Sequence, residues 1–276
     1  MQMMCVWESV LSVLPVWLRQ KVDARGKENL QELRLRINAP PELNFGSHWT
    51  CLPGNVSRED LLFCVNTASR YSPWAASTIG KGYLTLSGGH RIGLCGEAIV
   101  KEGVVTGIRE VRSLNIRIAR DFPGISETIP INSSILLLGA PGWGKTTLLR
   151  DLARKTADNY RVSVADERGE LFPEGFPPGK RMDVMKGCPK SQAIELLLRS
   201  MGPEWIAVDE ITAESDADAL MQAVGCGVRM MATAHAASVQ DLRQRPVYRR
   251  LLETGVFQTL VVLRPDKTFS LERMPI

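Results

Sequence analysis

The sequence predicts an α/β protein in two parts: a domain built on a mainly parallel sheet, preceded by a smaller α+β domain. Three observations carry this. In the second half, short continuous apolar runs ("ILLLG", "RVSVADE", "WIAVDEI", "RMMATAH" and "TLVVL") alternate with helical stripes, as strands covered on both faces do. From residue 28 to about 125, apolar and polar residues alternate instead, with glycine punctuation, the mark of half-buried strands. Between the two patterns, "DFPGISETIPINSS" (121–134) sets Pro, Gly and Ser at turn positions. The expected domains are therefore 1–125 and 126–276.

Composition is compatible with two modest cores: 276 residues, 44% hydrophobic and only 6% aromatic. The formal charge of +4 is spread without a polybasic tail. Six cysteines (Cys5, Cys51, Cys64, Cys95, Cys188, Cys226) form no CxxC pair. They are expected to be small buried apolar groups in a reducing cytosol. The apolar runs 135–140 and 260–263 fall far short of the ~20 residues that cross a bilayer as a helix.

Along the chain, Trp7, Val10, Leu11, Leu14 and Leu18 recur at helical spacing. The opening stretch has no basic leader or small-residue cleavage site, so it reads as an amphipathic helix rather than a signal peptide. Pro15 should bend or end it; the helix packs on its own domain or docks on a partner or membrane surface. Strands are expected in "LQELRLRI", "GYLTLSGG", "HRIGLCGEAIV" and "VRSLNIRIAR". One helix intervenes near "SREDLLFCVNTASR", where Ser57 and Asp60 form a capping box and Leu61, Leu62, Val65 and Ala68 a face. In the second half, Ile194, Leu197, Leu198 and Met201 form one helical stripe ending at Gly202. Ala217, Leu220, Met221 and Val224 form another, ending at Gly225.

The chemistry begins at "GAPGWGKTT". Gly139, Ala140, Pro141, Gly142, Trp143, Gly144, Lys145, Thr146 and Thr147 contain G-x-x-x-x-G-K-T between an apolar strand and a helix former. The glycines let backbone amides face phosphate, Lys145 meets the β and γ phosphates, and Thr146 offers its hydroxyl to Mg²⁺. The helix N-terminus adds a favourable dipole. Trp143 either covers the nucleotide or packs against a neighbour.

Hydrolysis needs more. "EWIAVDEI" supplies Asp209 for the Mg²⁺ shell and Glu210 as general base for water. "VSVADERGEL" brings Asp166, Glu167, Arg168 and Glu170 to the same expected sheet edge, where ligands of open α/β sheets bind. Glu167 there either orients water or Mg²⁺ or sits in a surface salt bridge. "RMMATAHAAS" presents Thr233 and His235; the histidine is expected to sense the γ-phosphate. The implied cofactors are ATP and Mg²⁺, and the implied fold is a RecA-like P-loop NTPase domain.

In this order, "GAPGWGKTT", "ADERGEL", "LLLRSMGPEWIAVDEI" and "GCGVRMMATAHAAS" resemble the phosphate loop, acidic box, carboxylate box and histidine box of secretion ATPases of type II and type IV systems and pilus motors. The resemblance implies Glu167 in the acidic box, Glu210 as catalytic carboxylate and His235 as box histidine. Two departures stand out. Thr212 follows Ile211 where the family often has arginine, and Cys226 lies where a glycine-histidine pair is common.

A wider resemblance, through "RLRINAPPEL", "GGHRIGLCGEAIV", "GIREVRSLNIRIAR" and "LLLGAPGWGKTTLLRDLAR", is to the stage III sporulation AA family of endospore-forming bacteria. It implies an ATPase of the mother-cell cytoplasm that works with membrane-bound proteins of the same operon at the channel to the forespore. By resemblance it also implies a hexamer, and Arg109, Arg112, Arg117 and Arg120 are then candidates to reach a neighbouring subunit's nucleotide. Each of them could equally serve as a strand-face salt bridge.

RecA-like folds also host ATPases that act on nucleic acid. For that reading, Arg243, Arg245, Arg249 and Arg250 would track phosphates. Weak net charge and the lack of interleaved aromatics argue against it. A third reading, an ATP-binding module without turnover, is opposed by the Asp209-Glu210 pair. His90 reads as a turn residue.

Overall fold

The structure is a computed structural model and describes residues 4–70, 82–236 and 238–274. It contains two compact units, Met4–Asp121 with Pro173–Gly175, and Phe122–Phe172 with Phe176 onward. The chain thus divides at Asp121, a few residues before the expected boundary. Pro173–Gly175 belong to the first unit because Gly88 N–H donates to Glu174 O (2.5 Å) and Pro173 lies against Gly89.

In the first unit α1 (Trp7–Ser12) and α2 (Val16–Gly26) are followed by β1 (Glu32–Arg36), β2 (Glu42–Asn44), β3 (Trp49–Cys51), α3 (Arg58–Arg70), β4 (Tyr83–Thr85), β5 (Arg91–Lys101) and β6 (Val104–Arg117). The strands form one antiparallel sheet in the order β3-β2-β1-β6-β5-β4. Pro15 caps α2, so the expected helix is two helices. Their residues Trp7, Val10, Leu14 and Leu18 join Leu33, Leu35, Ile92 and Ile116 in one core, which settles that the segment packs on its own unit.

The capping box of α3 is present: Asp60 N–H donates to Ser57 Oγ (3.0 Å) and Ser57 N–H to Asp60 Oδ2 (2.9 Å). Its buried face is Leu61, Cys64 and Ala68, whereas Leu62 points outward at 45% exposure. The cysteine expectation also needs correcting. Cys64 is buried, but Cys51, Cys95 and Cys226 are exposed, because a small thiol is tolerated on the open face of a sheet or at a helix end.

The second unit holds β7 (Ile135–Leu138), α4 (Lys145–Thr156), β8 (Val162–Asp166), β9 (Met182–Lys186), α5 (Lys190–Met201), β10 (Trp205–Val208), α6 (Glu214–Gly225), β11 (Arg229–Ala234), α7 (Val239–Gln244), α8 (Pro246–Glu253), β12 (Thr259–Leu263) and β13 (Phe269–Arg273). The sheet order is β13-β12-β7-β11-β10-β8-β9, parallel except for the edge strand β13. The fold is therefore α/β with a mostly parallel sheet. β7, β8 and β10 are buried along their whole length, which is why they read as unbroken apolar runs. Separate apolar clusters line the two faces of this sheet. One holds Leu136, Ile206 and Met230 with α5, α6 and α8; the other holds Leu137, Ala207 and Met231 with α4. Because the strands are parallel, β7, β8, β10 and β11 all end at one edge.

Candidate functional site

At that edge β7 gives way to the loop 139–144, and α4 begins at once. Gly142 (φ 82°) and Gly144 (φ 94°) adopt the left-handed backbone that side chains resist. This turns the chain tightly into α4, whose first amides have no partner within the helix. Pro141 and Gly142 are exposed, and Ala140, Trp143, Thr146 and Thr147 are half-buried. The Trp143 ring packs toward the cluster under α4 and lies 3.3 Å from where a Cβ on Gly139 would stand.

Lys145 is 6% exposed. Its Nζ donates to Gly139 O (2.8 Å), Ala140 O (3.0 Å) and His235 Nδ1 (2.9 Å). Burial lowers its pKa, opposed by the nearby charges of Asp209 and Glu210. Beyond it, Thr146 Oγ1 donates to Asp209 Oδ2 (3.1 Å). Thr233 Oγ1 donates to Asp209 Oδ1 (2.8 Å) and accepts from Glu210 N–H (2.9 Å). His235 Nε2 stands 3.3 Å from Glu210 Oε1. With Nδ1 accepting from the Lys145 ammonium, the ring proton sits on Nε2 and faces the carboxylate.

Lys145, Thr146, Asp209, Glu210 and His235 are thus linked through contiguous polar contacts drawn from α4 and from the ends of β10 and β11. Glu167 stands apart from that chain: its carboxylate pairs with Lys190 at the start of α5 (3.3 Å). Its neighbour Asp166 is buried and accepts the backbone N–H groups of Glu170 (2.9 Å), Leu171 (3.1 Å) and Phe172 (3.0 Å). That carboxylate shapes the turn after β8. Arg150 of α4, which donates to Glu170 O (2.9 Å), supports the same turn.

Sequence reasoning singled out neither Lys190 nor Tyr248, and it gave Thr233 no task. Tyr248 donates from α8 to the Ile211 carbonyl, and burial followed by the charge of Glu210 pushes its phenol pKa up. A signal existed only for Thr233, a hydroxyl on β11 two residues before His235, which follows the strand's end.

The four arginines lie in the first unit. Arg109 pairs with Glu97 (2.8 Å), Arg112 with Glu110 (3.8 Å) and Arg117 with Glu32 (3.3 Å), with side chains 63%, 78% and 65% exposed. Arg120 differs. It donates to the carbonyls of Gly26, the last residue of α2, and of Lys27 and Leu30 just beyond it, a helix-capping task, and burial lowers its pKa. His90 is a core residue rather than a turn residue. It is wholly buried, its Nδ1 accepts from Ala119 N–H (2.9 Å), and its Nε2 donates to Val6 O (3.0 Å). No helix among the described residues is long and apolar enough to cross a membrane.

Among solved structures, the chain is similar to the pilus retraction motor PilT with bound ADP (12% identity, TM-score 0.63, 91% of this chain and 80% of that one). It is also similar to the Legionella pneumophila ATPase DotB (17% identity, TM-score 0.59, 94% and 80%). At these identities the likeness establishes a fold shared with those two proteins. In sequence it is 39% identical over 256 residues to the Stage III sporulation protein AA of Bacillus subtilis (strain 168), across 86% of this chain and 83% of that protein. The family model described as "Sporulation stage III, protein AA" matches residues 7–270, and the chain belongs to that family.

Proposed function

We propose that this chain is a secretion-type ATPase of endospore formation. It hydrolyses ATP to drive assembly of, or transport through, a channel between mother cell and forespore. It works as a homo-hexamer in the mother-cell cytoplasm, held at the membrane by membrane-bound proteins of its operon.

The observation that carries the catalytic part is the contiguous set Lys145, Thr146, Asp209, Glu210 and His235 at one sheet edge. Lys145 and the loop amides bind the β and γ phosphates. The Thr146 hydroxyl and Asp209 carboxylate, already 3.1 Å apart, are hard oxygen donors. Such a pair suits Mg²⁺, which takes one or two carboxylates and completes its shell with water and phosphate. Held there, Mg²⁺ would supply positive charge to offset that developing on the phosphate oxygens.

Glu210 accepts the proton of the attacking water as the oxygen–phosphorus bond forms, and ADP departs with the electron pair of the broken bond. His235, between Lys145 and Glu210, links phosphate binding to the base. Glu167, ion-paired with Lys190, acts from the turn after β8 as part of the acidic box. An arginine from the neighbouring copy completes the charge balance. Exposed Arg109, Arg112 or Arg117 suits this better than Arg120, which α2 already occupies.

Phosphate release by wild type and Glu210→Gln, each with Mg²⁺, with and without DNA and with the membrane partners, tests the reading. Loss of about 10²-fold or more in kcat in the variant is expected. Unchanged turnover would overturn the assignment of Glu210, and stimulation by DNA alone would favour a nucleic-acid ATPase.

A further inference from the structure

The loop carrying Asp209 and Glu210 into α6 is gripped by three elements. From β11, Thr233 Oγ1 accepts Glu210 N–H (2.9 Å) and the Thr233 carbonyl accepts Ile211 N–H (3.2 Å). From α6, Asp216 Oδ2 accepts the N–H groups of Thr212 and Ala213, each at 3.1 Å. From α8, the Tyr248 hydroxyl donates to the Ile211 carbonyl. These bonds fall on consecutive residues, so the backbone that aims Glu210 is set by all three.

The Tyr248 grip stands out chemically. The residue is 5% exposed, and its ring lies in the same apolar cluster as Leu220, Leu251 and Phe257. For packing alone, phenylalanine would bury the same ring without a hydroxyl that needs a partner. The hydroxyl finds one in the Ile211 carbonyl, in the peptide that joins Ile211 to Thr212, one residue beyond Glu210. Its raised pKa, caused by burial and then by Glu210, keeps it a donor. Helix α8 is in turn fastened to α6, the helix that leaves this loop, by Arg250 with Asp218 (2.7 Å) and Glu214 (3.7 Å). The two helices therefore hold the loop from one side while β11 holds it from the other.

We propose that Tyr248 is a positioning residue for Glu210: its hydroxyl fixes the Ile211 peptide so that the carboxylate stays on His235, and it makes that geometry depend on where α8 sits. This rests on Glu210 being the base. A displacement of α8, whether imposed by a neighbouring copy or by a bound partner, is transmitted to the base through this one hydrogen bond and through α6.

The test is Tyr248→Phe in the full chain, which keeps the ring and its packing. Three quantities are read: steady-state ATP turnover, affinity for a fluorescent ADP analogue, and amide hydrogen exchange. A misplaced base lowers kcat by about 10-fold while KM for ATP and ADP affinity stay within about 2-fold. Exchange at residues 210–213 quickens about 10-fold while that of β8 is unchanged.

Wild-type kcat together with unchanged exchange at 210–213 would overturn the proposal. So would faster exchange in β8 as well, which marks general loosening. Glu210→Gln in parallel separates the two ideas. If that variant keeps wild-type turnover, the base is elsewhere, and the exchange result still decides whether Tyr248 holds this loop.

Discussion

Thr233→Val removes one hydroxyl from the centre of the site without changing side-chain volume. Thr233 is wholly buried, and its Oγ1 both donates to Asp209 Oδ1 (2.8 Å) and accepts from Glu210 N–H (2.9 Å). In the variant, Glu210 N–H keeps a bond to Asp209 Oδ1 (3.1 Å) and Asp209 keeps the Thr146 hydroxyl (3.1 Å). No group is left wholly unpaired, so the loss is one charge-assisted and one neutral hydrogen bond, partly offset because no hydroxyl has to be desolvated, about 2 kcal/mol. In a unit of this size that lowers the thermal midpoint by about 4–8 °C. Thr233→Ser keeps the hydroxyl and should recover most of the loss. Melting is followed by circular dichroism, and Mg²⁺-dependent nucleotide affinity is measured beside it, because Asp209 loses a donor that orients it. A valine variant melting within about 1 °C of wild type, with the serine variant no closer, would refute this account of how the two carboxylates are held.

Burial pushes the His90 pKa down from 6.5 to about 4. Below the unfolded value the unfolded chain binds a proton that the folded chain refuses, so this contribution is complete above about pH 6.5 and is lost as pH falls toward 4. Urea titrations at pH 7.5 and 5 should differ by about 2 kcal/mol from this group, and His90→Gln should flatten the difference; an equal slope in the variant would count against it. Brief alkylation with iodoacetamide and peptide mapping should label Cys51, Cys95 and Cys226, which are exposed. Cys64, buried with its pKa pushed up to about 12, should label only on unfolding.

The parts of the site legible in the sequence share one property: their placement follows from a strand ending. An apolar run fixes where β7, β10 or β11 stops, and a parallel sheet puts all such ends on one edge. Lys145, Asp209, Glu210 and His235 could therefore be brought together from the chain's pattern alone. The parts that were not legible depend on what a side chain meets across the fold. Asp166 and Asp209 both close apolar strands, yet Asp166 spends its carboxylate on the turn 170–172, and an acid that shapes a turn looks like a ligand until its partners are known. Tyr248 lies far along the chain from Ile211, in a helix whose apolar spacing explains the ring and says nothing of the hydroxyl. Short strands such as β2 and β3, three residues each, carry too few alternations to register. The edge strands β9 and β13 lack the full burial that makes their neighbours conspicuous.

If Glu210 is the base as proposed, the partners of Lys145 constrain how nucleotide could act on it. An ammonium has three N–H donors, and here they meet Gly139 O, Ala140 O and His235 Nδ1 at 2.8, 3.0 and 2.9 Å. A phosphate oxygen reaching Nζ must therefore replace one of them. The two carbonyls belong to the loop itself and move with it, whereas His235 is carried by the end of β11. Exchanging the histidine leaves the loop intact, and a charged phosphate is the stronger acceptor for an ammonium. Once Nδ1 loses that donor, the ring is restrained mainly from its other side, by Glu210 at 3.3 Å. On the proposed reading, the imidazole that would yield to phosphate is the one that meets the Glu210 carboxylate, so no longer path would be needed for events at Lys145 to be felt at Glu210.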